Sequence, residues 1–177
     1  MNEFFSIFNV DLLHSTIRLS TPITLAAIGA TICERAGIVN IAMEGLMLVG
    51  AFAATFFAYI TANPWIGLIA GVLAGGMFSL IHAYATVTLH MDHVVSGAVL
   101  NILALGLTSY LLILAFGHAG TSDPIPVSLA DYQFAIPLLS RIPVIGPVLF
   151  NQRPIVYISF ILIIFFTIFL YRGKKGL

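Results

Sequence analysis

Apolar residues run almost unbroken through five stretches of this chain, residues 17–33, 38–61, 65–89, 94–117 and 154–171, and polar residues collect at the ends of these stretches. Crossing a bilayer takes about 20 apolar residues in a helix rising 1.5 Å per residue. No alternation of a barrel strand occurs, and lipid leaves no solvent for an open backbone. The pattern therefore predicts an all-α polytopic membrane protein with about five transmembrane or partly re-entrant helices. The first stretch is short and ends in Glu34-Arg35-Ala36-Gly37. It spans with help from its neighbours, or it forms half of a broken helix with the stretch that follows. Residues 1–177 read as a single transmembrane domain in which residues 118–153 form a long outer connection rich in proline. Proline disfavours a continuous helix there, and the apolar phrases Ile136-Pro137-Leu138-Leu139 and Ile142 to Phe150 suit a segment folded against the outer face of the membrane.

Within the stretches, helical spacing sorts residues into faces. Asn40, Glu44, Met47, Ala51, Ala54 and Ala58 form a polar and small face predicted to look inward. Gly67, Gly71 and Gly75 recur every four residues and predict close approach of another helix. Gly97, Asn101, Ala104 and Thr108 share a face, from which Asn101 can bond another helix or a passing solute. The last stretch is aliphatic and aromatic all round, as expected of a surface largely in lipid.

Composition agrees: 60% of residues are hydrophobic and 8% are charged, far from soluble averages. Seven basic and seven acidic residues cancel, which gives no electrostatic footprint for nucleic acid. The basic tail Arg172, Lys174 and Lys175 reads as cytoplasmic, which places the turns at Glu34-Arg35 and His90 to His93 inside and Ala62-Asn63-Pro64 outside. The single cysteine, Cys33, reads as a small packing residue.

Candidate chemistry is sparse. Glu44 is the carboxylate inside the long apolar runs, where an ionisable group costs roughly 2.5–3.5 kcal/mol and marks a polar path or a protein contact. Asn40, four residues earlier, is expected on the same helical face, so both could meet one ligand. Capping the backbone of a broken helix is the competing role for Glu44. His90 and His93 form too small a set for a metal site and read as solvated turn residues, while His82 reads as a structural, hydrogen-bonded histidine. No zinc-protease, serine-hydrolase or nucleotide-binding phrase occurs, so no enzymatic role, cofactor or metal is expected.

The phrase Glu34-Arg35-Ala36-Gly37-Ile38-Val39-Asn40-Ile41-Ala42-Met43-Glu44-Gly45, with Thr21 to Ala30 before it, resembles the opening of the permease subunits of bacterial ABC importers. The similarity is to the branch associated with nucleosides and simple sugars, related to the branched-chain amino acid permeases. Val94-Val95-Ser96-Gly97, Asn101 to Thr108 and Phe150-Asn151-Gln152 extend it along the chain. The resemblance implies a multi-pass subunit of the bacterial cytoplasmic (inner) membrane. Its partners would be an ATP-binding ABC subunit, a second permease subunit and an extracytoplasmic solute-binding protein. It also implies that Asn40, Glu44, Ser96 and Asn101 lie along the substrate path. Family members continue past the equivalent of Leu177 into a loop that docks the ATPase, so the chain is expected to be the N-terminal part of a longer permease, half of a split subunit, or a truncated product without transport activity. A small oligomeric channel or noncatalytic scaffold is the rival class, in which Glu44 gates ions or stabilises packing.

Overall fold

The computed structural model describes residues 10–118, 120–124, 134–135 and 145–172. In chain order these form α1 (Val10–Arg35), α2 (Met43–Thr61), α3 (Pro64–Ala83) continued by a π-helical turn (Tyr84–Thr88), and α4 (His93–Phe116). A short strand β1 (Phe134–Ala135), α5 (Ile145–Phe150), β2 (Asn151–Gln152) and α6 (Pro154–Arg172) follow. Five helices are long and apolar enough to cross a membrane among the described residues. This is an all-α, multi-pass membrane protein.

The chain forms two compact units, one of residues Gly29–Ser128 and one that joins Met1–Ile28 to Leu129–Leu177. In the first, α2, α3 and α4 pack around Ala42, Phe78, Leu100 and Ala104, flanked by Leu46 and Val49. The glycines of α3 close its seam with α2 as their spacing predicts. A Cβ on Gly67 would stand 2.5 Å from the Ala54 carbonyl oxygen, and one on Gly71 would stand 2.8 Å from that of Gly50. Only backbones without a side chain between them come so near. The inward stripe of α2 is rotated from the expected one: Gly45, Ala53 and Ala58 are buried, whereas Glu44, Met47 and Ala51 are exposed.

Two helix boundaries differ from the hydrophobic pattern. The first helix is not a short half-span, because α1 is continuous over 26 residues. Its early turns include Ser15, Thr16 and Arg18, which hide them from a hydropathy reading, and Thr16 satisfies its hydroxyl on the Leu12 carbonyl at 2.8 Å. Pro22 lies inside it, where Thr21 and Thr24 bond back to Ile17 and Ser20 at 2.9 Å each. The second stretch, expected to be helical from residue 38, becomes helical only at Met43. A Schellman turn ends α1: Gly37 takes φ +81°, its N–H donates to the Glu34 carbonyl and the Ile38 N–H donates to that of Cys33, each at 3.0 Å.

In the second unit, Gln152 is fully buried, and its amide nitrogen Nε2 donates to the carbonyls of Val148 at 2.7 Å and His14 at 3.3 Å. His14 Nε2 bonds the Asn151 carbonyl at 2.8 Å, and β1 pairs antiparallel with β2. The start of α1 is thereby tied to the start of α6. Along α6 Val156, Ser159 and Leu170 are buried, while Ile161, Ile164 and Tyr171 are exposed, as expected of a lipid-facing helix. Most of the outer connection, including Pro126, Pro137 and Pro143, and the tail with Lys174 and Lys175 lie outside the described residues.

Candidate functional site

Residues 36–42 carry the chain without helix from the end of α1 to the start of α2, and this break builds the site. Ile41 and Ala42 pass so close to α4 that a Cβ on Gly97 would stand 2.9 Å from the Ile41 Cβ and 3.0 Å from the Ala42 nitrogen. Ala42 is the N-cap of α2 and has no side chain to cap with. The cap comes from another helix. Asn101 Oδ1 accepts the Gly45 N–H at 2.8 Å, the bond a serine or aspartate N-cap would make to the third residue of its own helix. Asn101 Nδ2 donates to the Ile41 carbonyl at 3.0 Å. One amide thus satisfies a donor and an acceptor that the break would leave open.

Register follows from these bonds. Asn101 lies eight residues past His93, the first residue of α4, so the start of α2 is recessed by about 12 Å along α4. Glu44, in the first turn of α2, shares that depth and is exposed on the surface of the unit. It lines a cleft of about 170 Å³ with Gly45, Leu48, Asn101, Ile102 and Leu105. Contact with lipid would cost a carboxylate roughly 2.5–3.5 kcal/mol, so this face suits water, a solute or more protein.

Of the expected site residues, the structure brings Glu44 and Asn101 together and leaves Asn40 and Ser96 apart from their cleft. Asn40 does not share a helical face with Glu44, because α2 begins at Met43; its Nδ2 donates to Cys33 Sγ at 3.6 Å instead. Ser96 is buried and bonds His82 Nδ1 at 3.0 Å, a hydrogen bond that joins α3 to α4. His93 is more than a solvated turn residue, since its Nδ1 accepts the Val39 N–H at 3.3 Å and ties down the break. Sequence reasoning missed this latch. Asp92, read only as a turn residue, caps α4 through the N–H groups of Val94 and Val95. No cluster of three metal-ligating side chains occurs among the described residues.

A helix N-terminus recessed against a neighbouring helix is a device of membrane transporters. Residues 12–177 match the family described as branched-chain amino acid transport system, permease component. The chain belongs to this permease family. Among its relatives, the guanosine ABC transporter permease protein NupQ of Bacillus subtilis is 41% identical over 78% of this chain and 44% of its own length. The nucleoside ABC transporter permease protein NupC of Lactococcus lactis is 37% identical over 89% of this chain and 51% of its own. The putative glucose ABC transporter permease protein TsgC13 of Haloferax volcanii is 31% identical over 96% and 50%. This permease-family chain spans about half the length of the curated relatives it matches. No solved structure matches it.

Proposed function

We propose that the chain is a permease subunit of an ATP-driven importer in the bacterial cytoplasmic membrane, and that its solute is a nucleoside or a related small polar molecule. It works with an ATP-binding subunit, a second permease subunit and an extracytoplasmic solute-binding protein. The family membership supports the class, and two relatives named for guanosine and nucleosides support the solute. The observation that carries the reading is Glu44, a carboxylate exposed in a cleft at the recessed start of α2. Nucleosides offer hydroxyl and N–H donors, and carboxyl oxygens accept such bonds. Asn101 lies on the same path and holds the backbone that presents Glu44. Asn40 and Ser96 bond Cys33 and His82 and do not line this cleft. The break at residues 36–42 faces the cytoplasm, in keeping with Arg35 beside it.

Replacing Glu44 with Gln in the assembled importer tests this. Labelled-nucleoside uptake is expected to fall about tenfold or more while the amount inserted in the membrane stays the same. Uptake at the unaltered level would remove Glu44 from the path and with it the observation that carries the reading.

A further inference from the structure

The Glu44 cleft has a neighbour on the same seam. A second cleft, also about 170 Å³, is lined by Phe52, Thr55, Thr108, Leu112, Thr121 and Ser122 among others. Leu48 lines both. The two helices of the seam run parallel, since Gly45 meets Asn101 near their starts and the Tyr59 and Phe116 rings meet near their ends, 5.2 Å apart. The clefts are therefore ordered along the helix axis, with Thr55 eleven residues beyond Glu44, a rise of about 16 Å.

Polarity is concentrated at the two ends. Glu44 and Asn101 mark one, and the hydroxyl residues Thr55, Thr121 and Ser122 mark the other. Between them the walls are Leu48, Ala51 and Leu105, and the Thr108 hydroxyl is spent on the Ala104 carbonyl at 2.7 Å. A groove filled by lipid would need no polar residues at either end. We propose that the two clefts are two stations of one solute path along the seam of α2 and α4, and that the Leu48 side chain forms the apolar waist between them. This rests on the reading of Glu44 as facing the path.

The occupant is the same small polar solute. It exchanges water for hydroxyl partners at one station and for the carboxylate at the other. At the waist it has neither, and a polar group without a partner is held unfavourably there. The waist therefore limits the rate of passage and leaves affinity at the stations nearly unchanged.

The test uses the assembled importer with Cys33→Ser, which removes the one cysteine of this chain. Leu48→Cys is treated with a charged, membrane-impermeant thiosulfonate, with Ile161→Cys on the exposed face of α6 as the lipid-facing control. The expected result is modification at position 48, slowed by saturating nucleoside, and none at 161. Leu48→Trp is expected to lower maximal uptake about tenfold with KM changed less than about twofold. Reaction at position 48 with lipid-soluble maleimide alone would show that the seam faces lipid and overturn the proposal. Unaltered uptake by Leu48→Trp would do the same. If the Trp variant fails to reach the membrane, the labelling decides. Labelling and protection at position 48 together with normal uptake by Glu44→Gln would keep the path and discard the role of Glu44; loss of uptake in Glu44→Gln with no aqueous labelling at 48 would do the reverse.

Discussion

Helix α2 meets α3 along one edge and α4 along another, and the two seams are built on opposite principles. Toward α3, Gly67 and Gly71 let carbonyls of α2 come against bare backbone, so the seam is closed and apolar. Toward α4, contact is tight at Gly45 and Gly97, then opens into clefts beyond. Lipid tails are as apolar as leucine, so neither seam is driven together by a hydrophobic effect between helices. The closed one relies on dispersion at close range. The open one relies on the hydrogen bonds of Asn101 near the helix starts and on the contact of the Tyr59 and Phe116 rings near their ends, with the clefts between.

The largest effect expected from breaking this contrast is on the closed seam. Gly67→Leu drives a side chain into the Ala54 carbonyl and should cost about 3 kcal/mol or more, seen as loss of a monodisperse species in detergent. Gly75→Ala is its counterpart, because a Cβ there stands 3.6 Å from the Leu46 carbonyl, an ordinary contact. Equal damage by the two would mean that glycine spacing does not set the seam. Next comes Asn101→Leu, which leaves the Gly45 N–H and the Ile41 carbonyl without their partner. A loss of about 1–3 kcal/mol is expected, with faster amide exchange at Gly45 and an unchanged exchange pattern in α3. Uniform loss of protection would show that the amide supports the whole unit and not the break. The smallest effect belongs to Cys33→Ser. The hydroxyl can still accept from Asn40, and a shift in melting temperature equivalent to under about 1 kcal/mol is expected by thermal unfolding in detergent.

Much of this was legible from residue order, and the failures have physical causes. The four-residue glycine repeat predicted the closed seam because the requirement is steric and periodic. The shared face of Gly97, Asn101, Ala104 and Thr108 was equally readable, as was the hydrogen-bonded role of His82. The start of α2 was not. Ile38 to Ala42 are as apolar in an irregular segment as in a helix, so hydropathy runs through the break, and the only local sign is Gly37 after Arg35. That sign ends α1 but says nothing of where the next helix begins. The pairing of Asn40 with Glu44 failed for this reason. The latch between Val39 and His93 spans 54 residues and has no local signature at all. The length of α1 was missed because its serines, threonines and arginine lower the mean hydropathy while their hydroxyls bond back to the helix. Glu44 stood out as a lone carboxylate; its cleft required the fold.

The borrowed cap also bears on how the protein is made. Asn101 follows Gly45 by 56 residues, so α2 and α3 leave the ribosome before α2 has the group that completes its first turn. Until α4 arrives, the Gly45 N–H and the Ile41 carbonyl need water, and hydrocarbon supplies none. The start of α2 can settle to its final depth only when α4 docks beside it. Insertion of the fourth segment is then the step that completes the first turn of α2, and a chain halted before residue 101 would leave the Gly45 N–H and the Ile41 carbonyl without this partner.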